Sequence, residues 1–263
     1  MNEKVIIIVP GKLAFYSEEN YKRIKKVFNN NVEFFIIGWE NNDKNEIEKF
    51  KEIYHPAHIS SIPNQNFENI LKEIKYPDYA GSTLGALHMW KSIYLSFKEV
   101  SNFFIDKPNK PHYVLRYRSD ILPKLNSEFL KKNLNNKEIL IPDRYHWNGI
   151  NDQIFLFKYN DLILFDEIDE FIKKHIKNNR FFCSEYIFQQ FLKKQKIKIK
   201  FSQFDYNIMK FKNQKKPFKD MRTEKPIIDW FNCKINKLNY RLRNFNEHYI
   251  KKSHRNKNQD IEI

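Results

Sequence analysis

Glycine is scarce, at 5 of 263 residues, so a Gly-rich phosphate loop has little to be built from. No Gly-x-Gly-x-x-Gly, no Walker loop and no nucleophile elbow occurs, which removes the commonest α/β chemistries that depend on them. Two cysteines, Cys183 and Cys233, make neither a disulfide framework nor a zinc site. His55 and His58 lie three apart, with no further Cys or His near enough in sequence to complete a metal site. No run approaches the ~20 apolar residues needed to cross a bilayer. The apolar start, Val5 to Val9, is cut by Pro10 and is too short for a signal peptide, so a cytoplasmic location is expected. There are no internal repeats.

What is abundant is aromatic and basic. Hydrophobic residues make up 41%, charged residues 30% and aromatics 16%, the balance of a folded globular chain with ample core material. The formal charge of +15 invites a nucleic-acid reading. Lys, Asn, Ile and Phe are abundant together, however, the set that AT-rich codons favour. The charge is also uneven: 15 Lys and Arg against 6 Asp and Glu from Asn207 onward, but 32 against 26 before it. The body is mildly basic and the tail needs its own account.

Val5 to Val9, closed by Pro10-Gly11, reads as a buried strand. Ser17 to Phe28 has helical spacing with Ser17 as N-cap, and Glu33 to Trp39 is a second buried strand. This β-α-β opening predicts a mostly parallel sheet flanked by helices. Asn45 to Tyr54 reads as a helix, and Pro56 and Pro63 bound a loop. Ser82 to Val100 carries a helical stripe of Leu84, Leu87, Trp90, Ile93, Tyr94 and Phe97. Further strands are expected at 112–120, Glu138 to Pro142, Ile154 to Phe157 and Lys196 to Phe201. Helices are expected at Asp161 to His175 and Glu185 to Lys193.

Polar residues gather at the end of the third strand, in Arg116-Tyr117-Arg118-Ser119-Asp120. Ligands in open α/β sheets collect at carboxyl strand ends, and two arginines two apart on a strand share a face suited to paired phosphates. Asp120 suits a divalent metal (Mn or Mg) bridging a diphosphate, or ribose hydroxyls. The alternative is an Arg–Asp ion pair that pins a loop. The loop His146 to Gln153 sets Trp147, Asn148 and Gln153 beside Asp152, types that suit a sugar face and its hydroxyls, with Asp152 as general base. Turn chemistry at Asn148-Gly149 with Asp152 as a cap is the alternative there. Pro10 and Gly11 lie where a doubly wound fold places a base or ribose. Ser82 and Thr83, before the long helix, offer N–H groups and hydroxyls to an anion or simply cap the helix, and Glu185 opens another helix, where a carboxylate suits the dipole in any case.

Ser82-Thr83-Leu84-Gly85-Ala86-Leu87, Tyr113 to Asp120 and Asn151-Asp152-Gln153-Ile154-Phe155 together resemble bacterial surface-polysaccharide glycosyltransferases of the WavE-like lipopolysaccharide-synthesis type. The resemblance runs from about Tyr79 to Phe157. It implies a Rossmann-like GT-A domain over residues 1–225, a nucleotide-sugar donor and a glycan acceptor of capsule or lipooligosaccharide type, lipid-linked. It puts Asp120 in the place of the metal-binding aspartate and Asp152 where an acceptor-side carboxylate is expected. The residue types and their positions make Pro10, Gly11, Ser82, Thr83, Arg116 and Arg118 the other donor-side candidates, and Trp147, Asn148, Gln153 and Glu185 the acceptor-side ones. One departure stands out: Arg118 occupies the first position of the usual Asp-x-Asp pair.

Residues 226–263 form a separate unit. Ile228, Phe231, Ile235, Leu238, Leu242, Phe245 and Tyr249 fall at steps of three and four beside Lys234, Lys237, Arg241 and Arg243, a basic amphipathic helix followed by a polar tail. It suits packing or a homodimer contact, or peripheral attachment to the inner membrane face. Nucleic acid is not expected as a partner. A nucleic-acid-binding protein using the basic tail, a non-catalytic nucleotide- or carbohydrate-binding module and another transferase, such as a phosphotransferase, remain the rival readings.

Overall fold

The computed structural model describes residues 3–13, 17–42, 44–77, 83–123, 134–143, 149–202 and 206–208, with the backbone alone at 122–123 and 206–208. Alternation dictates the architecture. In β1 (Val5–Gly11) and β2 (Val32–Trp39), Val5, Ile7, Val9, Phe34 and Ile36 join one core, and Ile6, Ile8, Phe35 and Ile37 join another. Successive side chains of a strand point to opposite faces, so a continuous apolar run must be covered on both. Helices α1 (Glu18–Val27) and α2 (Lys44–Tyr54) cover the first face through Ile24, Phe50 and Tyr54. Helices α4 (Thr83–Phe104), α5 (Ile168–Lys177) and α6 (Ser184–Lys194) cover the second.

Seven strands form the sheet in the order β3-β2-β1-β4-β7-β6-β8. Here β3 is His58–Ile62, β4 Tyr113–Tyr117, β6 Glu138–Pro142, β7 Ile154–Lys158 and β8 Lys198–Ser202. β3, β2, β1 and β4 run parallel, β7 is antiparallel to β4 and to β6, and β6 is parallel to β8. The expected mostly parallel α/β sheet flanked by helices is therefore found. A two-stranded antiparallel sheet pairs β5 (Ile121–Pro123) with β9 (Tyr206–Ile208).

Capping sets the first helix as read: Ser17 is extended and its hydroxyl accepts from the Asn20 N–H at 3.2 Å. The second core is dense in rings, with Phe97 against Phe155, Phe157 and Phe165 at 5.0–6.4 Å between centroids. Each such buried ring contributes about 1.5–3 kcal/mol, enough to hold α4 on the sheet.

Three readings need correction. The segment between Pro56 and Pro63 holds strand β3 rather than a loop; it is half-exposed and polar because it forms the sheet's edge. A short helix, α3 (Glu68–Glu73), follows it. The helix expected from Asp161 begins as a 3-10 segment, Tyr159–Glu167, and becomes α-helical only at Ile168; Asp161 turns back to accept the Lys137 N–H at 2.7 Å. Helix α4 runs past Val100 to Phe104, whose ring is buried. Residues 226–263 lie outside the described residues, as do Ser82, Trp147 and Asn148. No helix among the described residues is long and apolar enough to cross a membrane.

Candidate functional site

Because β1 to β4 are parallel, their carboxyl ends share one edge of the sheet. Gly11, Trp39 and Asn64 lie at or just past the ends of β1, β2 and β3, and Arg118, Ser119 and Asp120 just past that of β4. The antiparallel β7 brings its amino end to the same edge: Tyr117 pairs with Ile154, so Asp152 and Gln153 stand opposite Arg118. Helices α4 and α6 both begin there. These elements enclose a cleft of about 870 Å³.

The cleft collects every described candidate. Pro10, Gly11, Thr83, Arg116, Arg118, Asp120, Asp152, Gln153 and Glu185 all line it. Arg116 shares the parity of Val114, which packs in the α4–α6 core, whereas Leu115 and Tyr117 pack in the other; strand alternation thus turns the arginine toward the cleft. Arg116 is 1% exposed, and its Nη1 donates to the Gln153 carbonyl. Arg118 makes a two-pronged pair with Asp120, Nε to Oδ1 at 2.6 Å and Nη2 to Oδ2 at 2.7 Å. The ion pair anticipated as an alternative is present, and both partners still face the cleft.

Asp152 is buried, and its Oδ2 accepts from the hydroxyl of Ser184, the first residue of α6. Burial raises its pKa above the usual 3.8; the Ser184 hydrogen bond and the Arg116 and Arg118 charges pull against that shift. Two further contacts build this wall. Ile150 N–H donates to the Glu185 carbonyl at 3.1 Å, and the Glu185 carboxylate accepts from Cys183 Sγ at 3.0 Å. Gly149 is needed there: a Cβ would lie 2.2 Å from the Glu185 carbonyl oxygen.

The opposite wall is aromatic and amide-rich. His88 of α4 meets the Trp39 and Phe67 rings edge-on at 5.3 and 4.8 Å, and burial lowers its pKa below 6.5, favouring the neutral imidazole. Asn42 clamps the turn after β1, donating to the Gly11 carbonyl and accepting from the Leu13 N–H, each at 3.1 Å. Gly11 has φ +84°, and Ser92 Oγ would lie 2.9 Å from any Cβ.

No family model matches the chain, and no curated protein does. Solved structures give distant likenesses. One is to apo glycosyltransferase GlyE of Streptococcus pneumoniae TIGR4, at 9% identity and TM-score 0.40 over 75% of this chain and 44% of that one. A glycosyltransferase involved in glycosylating the major capsid of PBCV-1 matches at 10% identity and TM-score 0.39, over 76% and 81%. A cytidylyltransferase of Leptospira borgpetersenii serovar Hardjo-bovis matches at 13% and 0.40, over 76% and 74%. The chain spans less than half the length of the pneumococcal enzyme. Likenesses this distant decide nothing about activity.

Lys12, Trp39, Asn41, Asn42, Glu46, Asn64, His88, Cys183 and Ser184 also line the cleft and were not singled out in the sequence. Each lies at or past a strand end, or at the cap or in the first turns of a helix. That placement is the one signal that points to them.

Proposed function

We propose that the cleft binds a nucleoside-diphosphate sugar and that the chain transfers the sugar to a hydroxyl acceptor. The observation that carries this reading is the meeting of Arg116 and Arg118 with the buried Asp152 in one cleft, where α4 and α6 also begin. Guanidinium groups and helix N-termini favour diphosphate. In the transfer, the acceptor oxygen attacks the anomeric carbon and its proton passes to Asp152. The bond from that carbon to the phosphate oxygen breaks, and the electron pair leaves with the nucleoside diphosphate. Arg116 and Arg118 stabilise the charge that grows on that leaving group. Asp152 must be ionised to act; Ser184 and the two guanidiniums oppose its burial in favour of that form.

Our reading of the donor site is metal-free, with the Arg118 guanidinium against Asp120 in place of a divalent ion. Among the described residues no three His, Cys, Asp or Glu residues come together as a metal group, and both Asp120 oxygens are held by Arg118. No step is therefore routed through a metal; Arg118 supplies positive charge where an Asp-x-Asp pair would supply a ligand. The resemblance over Tyr79 to Phe157 supports a growing surface glycan as acceptor, lipid-linked, with residues 226–263 as a membrane or dimer contact. Liposome flotation with and without residues 226–263 tests the membrane contact, which unchanged binding would refute.

Thermal denaturation with UDP, GDP, CDP, ADP and dTDP tests the donor site. One nucleotide at ~100 times its Kd should stabilise the chain by about 2.7 kcal/mol, a rise of roughly 5–10 °C. The shift should vanish in Arg118→Ala and survive EDTA. No shift with any nucleotide would sink the donor site, and loss of the shift in EDTA would sink the metal-free reading.

A further inference from the structure

Gln153 belongs to the β7 wall of the cleft. Its backbone is held at both polar groups: the N–H donates to Asn151 Oδ1 at 2.9 Å and the carbonyl accepts from Arg116 Nη1. The residue is 8% exposed and lines the cleft. Its side-chain oxygen, Oε1, is nevertheless buried with no hydrogen-bond partner among the described residues. A buried acceptor left unmatched is unfavourable by about as much as a lost hydrogen bond, and natural structures keep few of them. Arg116 Nη1 is directed to Gln153's own carbonyl, and Ser184 Oγ to Asp152.

We infer that Gln153 Oε1 is preorganised to accept a hydrogen bond from a hydroxyl of the donor's hexose, beyond the diphosphate, and so selects the nucleoside-diphosphate sugar over the nucleoside diphosphate. The inference rests on the nucleotide-sugar reading above. An ionised phosphate oxygen carries no proton and has nothing to offer an amide oxygen; a sugar hydroxyl does. The backbone of Gln153 touches Arg116, so the amide lies one residue's length from a phosphate-facing cation, the order in which a nucleotide sugar presents its groups. A site built around one hydrogen bond rejects a ligand that lacks it, because the buried group is then left unpaired.

Titration calorimetry on the full chain tests this, with UDP, GDP, CDP, ADP and dTDP and with their glucose, galactose, N-acetylglucosamine and mannose conjugates. The wild type should bind its best conjugate about tenfold or more tighter than the matching diphosphate. Gln153→Leu should bring that ratio to about twofold or less, and Gln153→Glu, which keeps an acceptor at the same place, should retain part of it. A ratio that survives Gln153→Leu overturns the inference, as does a wild type with no preference. Monodeoxy analogues of the best conjugate, tested on the wild type, remove any dependence on how the variants fold. One analogue should bind about tenfold more weakly; equal binding by all of them overturns the inference. If no nucleotide binds at all, the donor reading itself falls and takes this one with it, which is a distinguishable result.

Discussion

Replacing Gly149 by alanine tests whether the carboxylate wall of the cleft is built as described. The added Cβ would lie 2.2 Å from the Glu185 carbonyl oxygen, 2.3 Å from its carbon and 2.5 Å from the Tyr186 nitrogen, against ordinary contact from 3.4 Å. All three atoms are backbone in the first turn of α6, so no flexible side-chain end can swing away. Either the loop or the helix start must retreat by about 1 Å. Overpacking of this kind costs about 1–3 kcal/mol, and weakening the Ile150-to-Glu185 hydrogen bond adds about 1 kcal/mol. The melting temperature should fall by roughly 5–15 °C. The helix start carries Ser184, which holds Asp152, so turnover should drop further than nucleotide affinity. Differential scanning calorimetry and nucleotide titration on one preparation check both. A melting temperature within 1 °C of wild type would refute the close approach of this loop to α6.

Three other substitutions test separate parts of the account. Asp152→Asn should keep nucleotide binding and lower turnover by about 10²–10⁴-fold; unchanged turnover would favour a non-catalytic module. Because burial raises the Asp152 pKa above 3.8, the folded chain holds that proton more tightly than the unfolded one. Stability from this group is lost as pH rises through the folded pKa, so the variant should gain melting temperature over wild type more at pH 8 than at pH 4. Glu138→Gln should show the opposite trend. Lys200 at 2.6 Å, then the Asn135 N–H, hold Glu138 at about 2, against the usual 4.5. Its stabilisation is present above 4.5 and lost as pH falls through about 2, so urea midpoints should differ at pH 7 and converge near pH 2. Ser17→Ala removes the cap on Asn20 and should cost about 1 kcal/mol, a fall of roughly 2–4 °C.

The elements legible in the sequence were those whose side chains alternate or recur against a core. β1 and β2 are apolar on both faces, and α4 repeats Leu87, Trp90, Ile93 and Phe97 on one buried stripe. β3 was hidden because His58-Ile59-Ser60-Ser61-Ile62 lies at an edge between prolines, where half the strand faces water. β5 and β9 have three residues each, too few for any period. In the cleft, charged residues at the β4 and β7 ends were legible because strand ends in such sheets collect ligands. Asn42, His88 and Ser184 were not, since an amide, an imidazole and a hydroxyl acquire meaning only from what the topology sets opposite them. Asn42 is informative because Gly11 lies across from it, and Ser184 because Asp152 does.

The antiparallel pairing of β4 with β7 acts as a ruler along the wall of the cleft. Five residue pairs, from Tyr113↔Lys158 to Tyr117↔Ile154, determine how far the two arginines stand from the carboxylate. A slip of one residue would carry Asp152 about 3.3 Å along the edge and turn every β7 side chain to the other face. The aromatic pairs around Phe155 and Phe157, well behind the cleft, forbid that slip. Spacing between the two arginines and Asp152 is thus a property of the hydrophobic core, and under the proposed function changes there would alter turnover before any contact with a ligand was touched.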